Sequence, residues 1–110
     1  MPKKYRLTRA DFARMRSFKR LHGELFSLSC GSIPGRSAPG FACVVPARVV
    51  ARASARNMIK RRCRAVFQRI VDERWPLVYV YYAKKAAQSA AFSEIEHDVS
   101  ALYARARSLA

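Results

Sequence analysis

The sequence predicts an α+β domain in which a sheet is covered mainly on one face by helices. Three observations predict it. Between Arg56 and Ile70 the apolar residues Ile59, Cys63, Val66, Phe67 and Ile70 recur at helical spacing, a stripe that a helix buries. Leu77 to Ala83 reads LVYVYYA, a nearly unbroken β-branched and aromatic run that suits a central strand. Around these two lie a short helix and two strand signals on the N-terminal side and a second amphipathic helix on the C-terminal side. At 110 residues and 51% hydrophobic content the chain is expected to be one folded domain over 1–110, with a single core.

The elements follow in order. Thr8 is placed to cap a short helix whose first turn holds Asp11, and Phe12 and Met15 share one side of it. From Glu24 to Cys30 the pattern alternates, with Phe26, Leu28 and Cys30 opposite Leu25, Ser27 and Ser29, predicting a strand buried more on one face. Residues 31–40 collect Gly, Pro and Ser around Arg36 and form a loop. Phe41 to Val45 is the next strand, stopped by Pro46. PARVVARA (46–53) links it to the long helix, for which Ser54 is the expected N-cap and Trp75, before Pro76, the expected end. After the LVYVYYA strand, Ser93-Glu94-Ile95-Glu96 reads as a capping box opening a last helix, whose Ile95, Val99, Leu102, Ala106 and Leu109 face inward.

Charge is distributed unevenly over this frame. The chain carries a net +15, and residues 1–71 hold 17 Lys or Arg against only Asp11 and Glu24, while residues 72–110 are balanced. A surplus confined to two thirds of a folded domain points to an anionic polymer as partner rather than to general solubility. Its densest part is RNMIKRRCRAVF, residues 56–67. On a helix of about 3.6 residues per turn, Arg56, Asn57, Lys60, Arg61 and Arg64 form one strip beside the apolar stripe. A rigid helix presenting guanidinium forks is suited to phosphate oxygens, which each fork can bond two at a time. Arg62 and Arg69 fall on another side and are expected to be solvated.

Enzyme chemistry within the chain finds no support. His22 lies far in sequence from any candidate Ser or Cys nucleophile, His97 is expected on a solvated helix face beside Glu96 and Asp98, no phosphate-cradling glycine loop is present, and Asp72-Glu73 and the acids at 94–98 are better explained as helix-end charges. Cys30, Cys43 and Cys63 lack metal-ligand spacing and fall at apolar positions, as reduced core thiols would. Without a run of about 18 apolar residues or an apolar leader, the expectation is a cytoplasmic protein with no membrane partner and no small-molecule cofactor.

The spacing Arg56-Asn57-x-x-Lys60-Arg61-x-x-Arg64, followed by Phe67, resembles the signature of the protein subunit of bacterial ribonuclease P, the ribonucleoprotein that trims the 5′ leader from precursor tRNA. Arg6-Leu7 with Asp11-Phe12, Gly40-Phe41 leading to Arg48, and Val78 to Ala83 followed by Lys84-Lys85 agree in the same order, from about residue 5 to about residue 105. The resemblance implies a small α/β sandwich in the order αβββαβα, a four-stranded sheet with a left-handed crossover like a domain of ribosomal protein S5. It implies that the RNA subunit is the catalyst, with Mg2+ bound by that RNA, and that the partners are ribonuclease P RNA and precursor tRNA. Carried onto this sequence, Arg56, Asn57, Lys60, Arg61 and Arg64, with Arg52 beside them, would contact RNA, and Phe12, Arg16 and Arg48 would border a cleft for the leader. Two positions depart from the family pattern. Arg16 stands where a second aromatic commonly follows Phe12, and the usual basic pair after the strand is reduced to Arg48 within Pro46-Ala47-Arg48. A structural RNA-binding protein of ribosomal type, with no nuclease role, is the rival from another class.

Overall fold

A computed structural model describes residues 2–15 and 17–109. Thr8 caps the first helix as expected, its hydroxyl accepting from the Asp11 N–H and its own N–H donating to the Asp11 carboxylate. That helix, α1, spans Arg9–Ala13. The strands are β1 (Lys19–His22), β2 (Phe26–Gly31), β3 (Gly40–Val44) and β4 (Val78–Ala83), and the remaining helices are α2 (Ala53–Ile70) and α3 (Phe92–Ser108). Short 3-10 turns occupy Lys3–Tyr5 and Lys85–Gln88.

The sheet order is β1-β2-β4-β3. β2 is antiparallel to β1 and β4, while β3 runs parallel to β4, so the connection from β3 through α2 to β4 is a crossover. As the sequence predicts, β4 is central, and it aligns Val80 with Ser29 on one side and with Ala42 on the other. Alternation sends Phe26, Leu28, Cys30, Phe41, Tyr79 and Tyr81 toward α2 and α3, where they meet Ile59, Cys63, Val66, Phe67, Ile95, Val99 and Leu102 in the main core. Five rings surround Phe67: Phe41 stacks on it at 4.5 Å between centroids, with Tyr5, Tyr79, Tyr81 and Tyr103 around the edges. Burial pushes the Cys63 thiol well above its ordinary pKa and the Cys30 thiol up to about 11, so both are inert core groups; Cys43 is half-buried.

The opposite face is covered more than the sequence suggested. Leu7, Met15 and Phe18 pack there on Ile33, Val78 and Val80 in a second, smaller cluster. Phe18 lies so close to β2 that a Cβ on Gly31 would sit 2.3 Å from its ring, which makes the absence of a side chain at 31 a packing requirement. Ser27 and Ser29, expected on an open face, are buried.

Other local expectations are corrected. β1 has no strand signal, since KRLH carries Leu21 as its only aliphatic residue; it forms as the edge partner of β2. α2 starts after Arg52, and Ser54 lies inside its first turn. It ends at Ile70 rather than near Trp75. There the Asp72 N–H donates to the Tyr103 hydroxyl at 2.8 Å, and the Asp72 carboxylate accepts from the Arg74 N–H and guanidinium, which holds its pKa down at about 2. α3 starts after Ala91, with Glu94 rather than Ser93 serving the cap by accepting from the Ala91 N–H. Leu109 is half-exposed instead of facing inward.

Candidate nucleic-acid interface

The basic strip of α2 is rigid because of what lies beneath it. Ile59, Cys63, Val66 and Phe67 are at most 1% exposed, so the helix cannot roll on the sheet, and the strip must point away from the core. Asn57, Arg61 and Arg64 are exposed and Lys60 is half-buried. Among the described residues none of these four side chains has a salt bridge or a side-chain hydrogen bond. The acids explain why. Asp11 pairs with Arg36, Asp72 with Arg74 and Arg107, Glu73 with Lys4 and Glu96 with Arg69, while Glu94 and Asp98 are held by main-chain N–H groups. Only Glu24 is left, on the far side of the sheet from β3. The cations of the strip therefore face solvent with their charge uncompensated.

Arg56 differs from its neighbours in the strip. Its Nη1 donates to the carbonyl oxygens of Val50 at 3.0 Å and Ala51 at 2.7 Å, so part of its fork is engaged in holding the β3–α2 linker. Sequence spacing could not reveal this, since the contact depends on how the linker turns back over the helix. Arg52 is exposed and occupies the N-cap position, where its carbonyl accepts from the Arg56 N–H. Arg48 is exposed in the turn after β3. Two cations expected to be merely solvated are engaged: Arg69 pairs with Glu96 and lies over the Phe92 ring, and Arg62 reaches the Ala90 carbonyl at 3.4 Å. Both tie α2 to the approach of α3, on the side away from the strip.

α1 is pinned by Arg36. Its guanidinium donates to the carbonyls of Lys4 at 2.8 Å and Ala38 at 2.9 Å and lies 3.6 Å from the Asp11 carboxylate. The Thr8 N–H and Arg36 together hold the Asp11 carboxyl below the usual carboxylate range. On this fixed helix Phe12 is 42% exposed and outside both apolar clusters. Arg16 lies outside the described residues. The sheet face beyond α1 holds a group that sequence reading missed: Arg20 of β1 lies over the Tyr82 ring at 4.2 Å and reaches the Ser27 hydroxyl at 3.3 Å.

His22 and His97, distant in sequence, line one open cavity with Glu24, Glu94 and Asp98. The Asp98 carboxylate there accepts from the N–H groups of Glu24, Leu25 and Phe26 at 2.9 to 3.1 Å, which makes it a fastener of the β1–β2 turn. No group of three or more His, Cys, Asp or Glu suited to a metal occurs among the described residues, and no helix among them is long and apolar enough to cross a membrane.

Comparison with known proteins identifies a family and a fold. A family profile described as Ribonuclease P matches residues 1–107. A structure of the Staphylococcus aureus RNase P protein superposes with a TM-score of 0.81 at 19% identity, covering 94% of this chain and 95% of that one. The RNase P protein from Thermotoga maritima superposes at 0.77 with 23% identity, covering 91% and 96%. No curated protein sequence matches the chain.

Proposed function

Because the chain belongs to the ribonuclease P family, as that enzyme's protein subunit, we propose that its α2 strip grips the RNA subunit while α1 and the adjoining sheet face receive the 5′ leader of precursor tRNA. The observation that carries the first part is the uncompensated charge of Lys60, Arg61 and Arg64, with Asn57 beside them, on a helix locked by its buried stripe. Phosphates neutralised there release their counterions, and that release drives binding. Arg52, exposed at the start of α2, extends the same field, while Arg48, exposed after β3, is assigned to the leader. The second part rests on Phe12. An exposed aromatic on a pinned helix offers a face on which an unpaired base stacks, whatever its identity.

In this reading bond cleavage belongs to the RNA subunit, whose bound Mg2+ would supply the chemistry at the scissile phosphate. This chain's residues bind and orient: they neutralise the repulsion between two RNAs and hold the leader so that the phosphate to be cut is placed. The working compartment is the cytoplasm, where precursor tRNA is made. Adding the purified protein to a bacterial ribonuclease P RNA at low Mg2+ tests the proposal. Cleavage of precursor tRNA at the mature 5′ end should rise strongly over RNA alone. RNA binding without any stimulation would favour a structural RNA-binding role instead.

A further inference from the structure

Between the N-terminal segment, the edge of β3 and α2 lies an open cavity of about 320 Å³, lined in part by Arg6, Phe41, Cys43, Lys60 and Arg64. Arg6 arrives there through a single parallel bridge to Phe41 of β3, beside the strand's outer edge. Lys60 and Arg64 stand one helical turn apart on α2 and come from the opposite wall. Among the described residues no carboxylate lines the space, and none of the three cations has a salt bridge or donates a side-chain hydrogen bond. Three like charges from two separate parts of the chain thus converge without a counter-charge, which costs repulsion until an anion enters. The volume is about ten times the roughly 30 Å³ share of one water, enough for a phosphate group with part of its hydration.

The geometry points to this cavity as the seat of one internucleotide phosphate of the RNA subunit, gripped jointly by Arg6, Lys60 and Arg64. Arg6 thereby becomes an RNA-contact residue from outside the α2 signature. The assignment deepens the proposed function and rests on it. It also gives the 3-10 turn at Lys3–Tyr5 a purpose, since Tyr5 is buried against Phe67 and anchors the segment that carries Arg6 to the wall. Phosphate alone, rather than a base, is the group recognised: the charged residues lining the cavity are all cations, and the aromatic residue in its lining, Phe41, is buried and stacked on Phe67.

The test is a set of variants, Arg6→Ala, Arg61→Ala, Arg64→Ala and the doubles Arg6→Ala/Arg64→Ala and Arg6→Ala/Arg61→Ala, each measured for binding to a bacterial ribonuclease P RNA at one fixed salt and Mg2+ concentration. Arg6→Ala should weaken binding about tenfold, as loss of one charge-assisted contact does. Residues that grip one phosphate are coupled, so adding Arg64→Ala should cost less than the product of the two single losses, whereas adding Arg61→Ala should multiply freely. Arg6→Gln, checked by thermal melting against the parent, carries the test if the alanine variant loses stability. Parental binding by the folded Arg6 variants, or free multiplication of the Arg6 and Arg64 losses, overturns the assignment. In that event Arg61→Ala separates the two levels: weakened binding by this variant leaves the α2 strip standing, and parental binding removes both.

Discussion

Arg56 donates through its Nη1 to the carbonyl oxygen of Ala51 at 2.7 Å, and so ties the start of α2 to the linker that leads into it. The same nitrogen reaches Val50 at 3.0 Å, whose side chain is fully buried. A residue at the head of the basic strip therefore also fixes the chain that positions the strip. Arg56→Ala is expected to lower stability by about 1 to 2 kcal/mol, the scale for losing charge-assisted bonds to partly buried carbonyls. Arg61→Ala, which faces solvent without partners, should stay within about 0.5 kcal/mol. Thermal melts of both variants check this, and equal melting would show the Arg56 contact to be energetically idle.

Phe67 decides whether the domain holds. Fully buried among five aromatic rings, it joins α2 to the N-terminal 3-10 turn, β3, β4 and α3 at once. Phe67→Ala should cost roughly 3 to 5 kcal/mol through lost burial and the cavity left behind. Chemical denaturation should show this as a lower midpoint, and RNA affinity should fall only where the fold is lost.

The Phe67 stripe was fully legible in the sequence, because apolar residues repeating at the helical period rarely arise outside an amphipathic helix. Thr8 and Asp11 were legible for a similar reason, since the capping box is a local motif. What remained hidden was decided by contacts across the chain. β1 is held as a strand by β2, not by its own KRLH. The end of α2 is set by Tyr103, 31 residues further on, taking the Asp72 N–H that would otherwise continue the helix. In the site, periodicity placed Asn57, Lys60, Arg61 and Arg64 on one strip, but the engagement of Arg56, Arg62 and Arg69 required knowing what lay opposite them. Arg20 on Tyr82 was invisible for the same reason, since nothing in sequence joins residues 62 positions apart.

Asp98 should prove a structural carboxylate. It is 8% exposed and accepts three main-chain N–H groups at the turn between β1 and β2. Asp98→Ala leaves those donors unpaired, one of them deeply buried, at an expected cost of roughly 2 to 4 kcal/mol. Gly23→Ala should destabilise the same turn, because its Cβ would lie 2.7 Å from the Asp98 Oδ1. Hydrogen exchange should quicken in β1 and the start of β2 before the rest of the sheet, and uniform quickening would assign Asp98 a global rather than a local role.

Phe12 provides the test of leader binding. Phe12→Ala removes an exposed ring and should leave the fold stable, since neither apolar cluster includes it. Stacking of one base is worth about 1 to 3 kcal/mol, so the reconstituted holoenzyme should bind precursor tRNA roughly fivefold to a hundredfold more weakly. Mature tRNA, which has no leader, should bind as before. An equal loss for both forms would move the leader site away from α1.

If the unpaired strip of α2 grips RNA through phosphates, the grip is read from the salt dependence of binding to the RNA subunit. Each phosphate contact should contribute about −0.7 to −0.9 to the slope of log affinity against log salt. With Lys60, Arg61 and Arg64 presented together, the parent protein should show a slope of several times that value, and Arg61→Ala should be shallower by about one contact. A nearly flat response from low to physiological salt, or an Arg61→Ala slope equal to the parent's, would show that the strip does not hold RNA by its phosphates.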